Sequence, residues 1–147
     1  MTQPVCKFCD KPMSEVSGWK SFPVPDVWEC HTIDCRANPR CTRIEGFRTP
    51  HCLDVFVDGV RLDPAVSQGV RNHSPDGFNA GYGGSGVAQT ALAILLMVAD
   101  EQIATRHYQD FKWEFLAKRE YLDKSFKFYL DIGTWLDAKE REKGGAE

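Results

Sequence analysis

Six cysteines, Cys6, Cys9, Cys30, Cys35, Cys41 and Cys52, fall within the first 52 of 147 residues, and the rest of the chain has none. Core packing alone does not ask for such a cluster, which points instead to thiolate chemistry. Cys6 and Cys9 form a C-x2-C pair in CKFCDKP, a tight turn whose two thiolates can take adjacent corners of a tetrahedron; Cys30 and Cys35 follow in WECHTIDC. Four soft ligands suit Zn2+, with His31 as a substitute for Cys30 and Cys41 as a substitute for Cys35. The competing disulfide framework needs an oxidising compartment, and C-x2-C pairs bridge with poor geometry. Four protein ligands leave no open position for water, so the expected zinc is structural rather than hydrolytic.

A second candidate lies at residues 73–86, HSPDGFNAGYGGSG, where Gly77, Gly81, Gly83, Gly84 and Gly86 run into an apolar stretch of helical period. Glycines ahead of a helix leave N–H groups at the positive end of its dipole, the arrangement that holds anions. The expectation is that Gly83, Gly84, Ser85 and Gly86, with Arg71 and Arg106, take a phosphate-bearing ligand, and that Ser85 caps the helix. No Lys-Ser/Thr follows the glycines and the dinucleotide spacing is absent, so neither ATP hydrolysis nor NAD is specified. The plainer alternative is packing, with Phe78 and Tyr82 filling the core.

Between these two segments Arg36, Arg40, Arg43 and Arg48 face only Glu45, a local charge of +3. These arginines are candidate nucleic-acid contacts, although such a run is also the ordinary composition of a solvated connector. His73, Ser74, Asp76, His107 and Asp110 supply side chains of acid–base type, yet no nucleophile elbow or metal-ligand helix motif organises them. An HNH-like nuclease is the remaining catalytic reading, and His31 with Asp34 only echoes it. Binding is therefore favoured over catalysis.

The elements that must position these groups follow from periodicity. Pro4, Pro12, Pro23, Pro25 and Pro39 argue for an irregular zinc-knuckle or ribbon-like module over residues 1–44, with Trp19, Phe22 and Trp28 as a miniature core. Leu53, Val55 and Val57 alternate with polar residues, and Asp58-Gly59 provides the two positive-φ positions of a type I′ hairpin before Asp63-Pro64 stops the returning strand. Helical period over residues 87–99 puts Ala88, Leu92, Leu95, Leu96 and Ala99 on one stripe, and a second helix over 103–118 carries Ala104, Tyr108, Phe111 and Phe115. A short strand and a further helix are expected over 121–136, then a frayed polar tail over 137–147. The fold class is α+β: a small antiparallel sheet packed on a helical hairpin, residues 45–136, with the zinc module ahead of it.

The run RNHSPDGFNAGYGGSGVAQTALAIL, with VFVDGVRLDP before it and HYQDFKWEFLAK after it, resembles a small domain family of uncharacterised function from bacterial and bacteriophage genomes. Its pattern reads HSPxGFxWGYGGSGPAQLALAIL, and the likeness spans about two-thirds of the chain. Ala80 stands where the family has Trp, and Val87 where it has Pro. The resemblance implies a fold and a viral context without supplying catalytic residues, so a protein-binding inhibitor of a host defence or transcription complex is the alternative function.

Composition bounds both readings. Net charge is −3, too weak for bulk capture of nucleic acid. Residues 1–48 hold 7 basic and 6 acidic side chains and the remainder 11 and 15, which leaves the larger part at −4 and favours a protein or small-ligand partner there. The longest apolar run, residues 91–99, is about half the ~20 residues of a membrane span. No basic-then-apolar leader is visible, so a cytoplasmic location is expected, that of the host if the chain is phage-encoded.

Overall fold

In the computed structural model, residues 4–16 and 27–144 are described. Their contacts divide the chain into two compact units, Met1–Thr42 with Tyr129–Glu147, and Arg43–Phe128.

The N-terminal segment is more regular than its prolines suggest. Strands β1 (Ser14–Val16) and β2 (Val27–Glu29) pair antiparallel, and Val5 bridges Pro12 across the turn that holds Cys6 and Cys9. Pro4, Pro12 and Pro39 lie outside these strands, which is how a ribbon tolerates them. Trp19, Phe22, Pro23 and Pro25 lie outside the described residues. Asn38 organises the following loop from within: its Nδ2 donates to the Thr32 carbonyl at 3.1 Å, and its Oδ1 accepts from the Arg40 N–H at 2.9 Å.

A four-stranded antiparallel sheet has the order β5-β4-β3-β6. The sequence-predicted hairpin is present as β4 (Leu53–Val57) and β5 (Val60–Arg61), joined by Asp58 at φ 49° and Gly59 at φ 83°, the type I′ signature. Strand β3 (Thr42–Arg48) runs through the segment expected to be a basic connector. Its inward residues Ile44 and Gly46 lie opposite Val57 and Val55, while Arg43, Glu45 and Phe47 take the other face. At Gly46 any Cβ would collide with the Phe126 ring of β6 (Phe126–Leu130), so only glycine fits.

Asp63-Pro64 does more than end a strand. Asp63 caps α1 (Pro64–Val70), accepting from the Ala65 N–H at 3.0 Å, with Pro64 at the first helical position. Helix α2 (Ser85–Val98) is the core element of this unit, buried all round from Gly86 to Leu95 rather than along one stripe, because α1, α3 and the sheet enclose it. Helix α3 (Glu101–Phe111) follows after Asp100, whose side chain caps Ile103, and completes the expected helical hairpin. It runs on into a π-helical turn, Lys112–Leu116, closed by Ala117 N–H donating to the Lys112 carbonyl at 2.8 Å.

After β6 comes α4 (Ile132–Gly144), so most of the tail expected to fray is helical. Asp131 caps it through Thr134, at 3.1 Å from the N–H and 2.8 Å from the hydroxyl, and the Asp131 N–H donates to the Ile33 carbonyl at 2.6 Å. Arg141 and Lys143 in the last turn suit the negative end of the helix dipole. Among the described residues no helix is long and apolar enough to cross a membrane.

Candidate metal centre and polar cleft

Cys6, Cys9, Cys30 and Cys35 converge, their four Sγ atoms all within 4.8 Å of one another. Cys6 Sγ lies 3.6 Å from Cys35 Sγ and Cys9 Sγ lies 3.7 Å from Cys30 Sγ. A tetrahedron with metal–sulfur bonds of about 2.3 Å has edges of about 3.8 Å, so these spacings suit a tetrathiolate site. No cysteine is in a disulfide. The two knuckles are alike locally: the Phe8 N–H donates to Cys6 Sγ at 3.5 Å and the Ala37 N–H to Cys35 Sγ at 3.4 Å, each from two residues on. Such bonds stabilise sulfur as the thiolate, the form that binds metal.

The Thr32 hydroxyl and the Lys11 backbone draw the Cys9 thiol down to about 7, whereas burial pushes Cys35 up to about 12. A divalent cation would supply the positive charge that four closely packed thiolates lack. Cys6, Cys30 and Cys35 are buried and pack with Cys9, Met13 and Ala37, so the cluster is also a small apolar core. Neither substitute ligand joins it. His31 Nε2 pairs with Glu29 at 3.2 Å, and Cys41 donates its S–H to the Ile33 carbonyl at 3.3 Å. Burial, with Asp131 and Asp34 nearby, holds the Cys41 thiol up at about 11, which keeps it protonated.

The glycine-rich loop is shaped first by packing. Gly81 has φ 98°, and a Cβ there would strike the Leu122 backbone. The Trp113 ring occupies the space a Cβ at Gly83 would need, and the Tyr82 ring that of a Cβ at Gly84. Phe78 is buried as expected; Tyr82 is 43% exposed and does not fill the core. Gly84 is the N-cap of α2 and supplies no side-chain bond, and Ser85 is the first helical residue rather than its cap. From below, buried Gln89 anchors the loop: its Oε1 accepts from the His73 N–H at 2.7 Å and the Ser74 N–H at 3.2 Å, and its Nε2 donates to Ser67 Oγ at 2.8 Å. Thr90 reaches the Asn79 carbonyl at 2.8 Å.

A polar cleft of about 390 Å³ opens beside this helix start, lined by Arg48, Thr49, His51, Cys52, Ser74, Asp76, Asn79, Tyr82, Ser85, Gly86 and Asp123 among others. Ser85 and Gly86 therefore meet the cleft; Gly83, Gly84, Arg71 and Arg106 do not line it. Arg48 does, with Nη1 donating to Asn79 Oδ1 at 2.8 Å and Nη2 to the Tyr121 carbonyl at 3.3 Å. No sequence signal joined Arg48 to the glycines, because the strand that carries it there is non-local. Of the other three arginines, Arg43 pairs with Glu45 at 2.7 Å, Arg36 lies over the Phe8 ring, and Arg40 is exposed. His73 bonds the Tyr108 hydroxyl at 2.7 Å and is engaged as a structural group.

A family model described as a family of unknown function (DUF6166) matches residues 44–137. No curated protein and no solved structure gives a match.

Proposed function

We propose a binding role for this chain, which belongs to the DUF6166 family of unknown function: a zinc-stabilised protein whose cleft at the start of α2 takes a phosphate-bearing ligand. The observation that carries the metal half is the convergence of Cys6, Cys9, Cys30 and Cys35 at tetrahedral spacing. All four corners are protein thiolates, so Zn2+ there organises the fold and activates no water. Supporting the ligand half are Arg48, the start of α2, where Ser85 and Gly86 line the cleft, and the lack of a side-chain cap. Asp76 and Asp123 line the same cleft and disfavour a bare anion. A nucleotide, which brings hydroxyl and amine donors along with its phosphate, satisfies both signs of charge.

Metal content measured under reducing conditions on the native protein and on Cys6→Ser/Cys9→Ser tests the first half; a native protein equally folded without zinc defeats it. Titration with nucleoside monophosphates tests the second, with shifts expected at the Ser85 and Gly86 amides. Ser85→Pro removes one N–H at a position where proline suits a helix, and is expected to weaken binding by about 1 kcal/mol without unfolding α2. Unmoved amides defeat the ligand reading.

The second reading, an inhibitor that docks on a host protein, draws on Trp113, 62% exposed at the π-helical turn with Lys112 Nζ 4.5 Å above its ring. A bacteriophage setting would accompany it. Loss of a host protein on Trp113→Ala, with nucleotides inert, favours this reading.

A further inference from the structure

The loop between Cys6 and Cys9 holds an aromatic ring in solvent, with Phe8 48% exposed. Two cations lie over that ring, Arg36 Cζ at 4.6 Å and Lys7 Nζ at 5.2 Å from its centroid. They come from separate loops, since Lys7 is inside the first cysteine pair and Arg36 follows Cys35. A lone exposed apolar side chain is ordinary, but a ring framed by two exposed cations combines a stacking surface with phosphate-binding donors.

The geometry points to a single-stranded nucleic-acid contact at Phe8, Lys7 and Arg36. An unpaired base stacks on Phe8 more strongly than a solvated cation lies against it, so the base displaces a cation, which then pairs with the neighbouring phosphate. Duplex is the poorer ligand, because its bases are already stacked and a surface ring cannot reach their faces. Exposed Asp10 and Asp34 flank the same loops and keep the patch from being a general polyanion trap. Sequence preference is expected to be slight, as every base offers a π face.

This contact rests on the metal reading to the extent that the thiolate cluster fixes both loops, and it is independent of the cleft. The test uses the full chain with zinc supplied, and labelled oligouridine and oligothymidine of about eight nucleotides, within the span that single-strand sites occupy. Fluorescence anisotropy is expected to show binding to both, weaker binding to a duplex of the same length, and a log–log salt slope of about −1.4 for two phosphates. Phe8→Ala is expected to lower affinity roughly ten-fold with the salt slope kept, Phe8→Trp to retain it, and Lys7→Ala/Arg36→Ala to halve or abolish the slope. Zinc content measured on every preparation separates a failed metal site from a failed stacking contact. Equal affinity for duplex and single strand, an unaffected Phe8→Ala protein with zinc bound, or no binding by the zinc-loaded chain each overturns the proposal.

Discussion

His73 shows how a single residue changes meaning between sequence and structure. By type it is a candidate acid–base group, but its ring nitrogen is committed to the Tyr108 hydroxyl and its backbone N–H to Gln89. Burial, then the nearby cations Arg71 and Lys112, hold its pKa below the ordinary histidine value. The folded state thus disfavours the protonated ring, and the unfolded chain binds more protons across that interval. Stability from this residue is complete above about pH 6.5 and is lost as pH falls below it. Urea melts at successive pH values between neutral and mildly acid are expected to show a steeper loss for the native protein than for His73→Gln. The four clustered cysteines were legible as two pairs because each pair is local, Cys6 and Cys9 in one C-x2-C turn and Cys30 and Cys35 five positions apart. Arg48 was read only as a nucleic-acid contact, and its place at the cleft was not legible, because that depends on Asn79 and Tyr121, far away along the chain.

At the level of elements, local chemistry and tertiary demand can be told apart by glycine. Gly69 is exposed inside α1 and a Cβ there would meet nothing within 4 Å. Gly69→Ala is expected to stabilise the protein by about 0.5–1 kcal/mol, the helix-propensity difference, read as a higher melting temperature. Gly81→Ala is expected to do the reverse and more strongly, since φ is positive there and the Leu122 backbone blocks the side chain. The hairpin turn at Asp58-Gly59 was readable for the same reason that Gly69 is replaceable: each is decided within a few residues. Strand β3 escaped notice because Gly46 interrupts its alternation, and the ring that demands that glycine, Phe126, lies 80 positions further on.

For the whole molecule, the two compact units predict separable responses to metal. Chelation under reducing conditions is expected to expose the amides around Cys6, Cys30 and Cys35, which form a buried cluster in one unit. Amides of α2 between Gly86 and Leu95 are expected to stay protected, because their apolar enclosure contains no metal ligand. Hydrogen exchange with and without chelator checks this; equal loss of protection in both regions would mean that a shared core, rather than a local staple, depends on the metal.

Sequence alone determined what can be settled by neighbours along the chain: a four-cysteine donor set, the type I′ hairpin, the paired helices and an α+β class. Tertiary structure decided which chemistry those pieces leave open. It excluded His31 and Cys41 from the cysteine cluster by giving each another partner, and it set the Trp113 and Tyr82 rings where side chains at Gly83 and Gly84 would have to go. It also carried Arg48 to Asn79 at the edge of the cleft. The physical reason is common to all three: a turn or cap is fixed by bonds a few residues long, whereas burial and charge at a site depend on side chains that only the folded chain brings within reach.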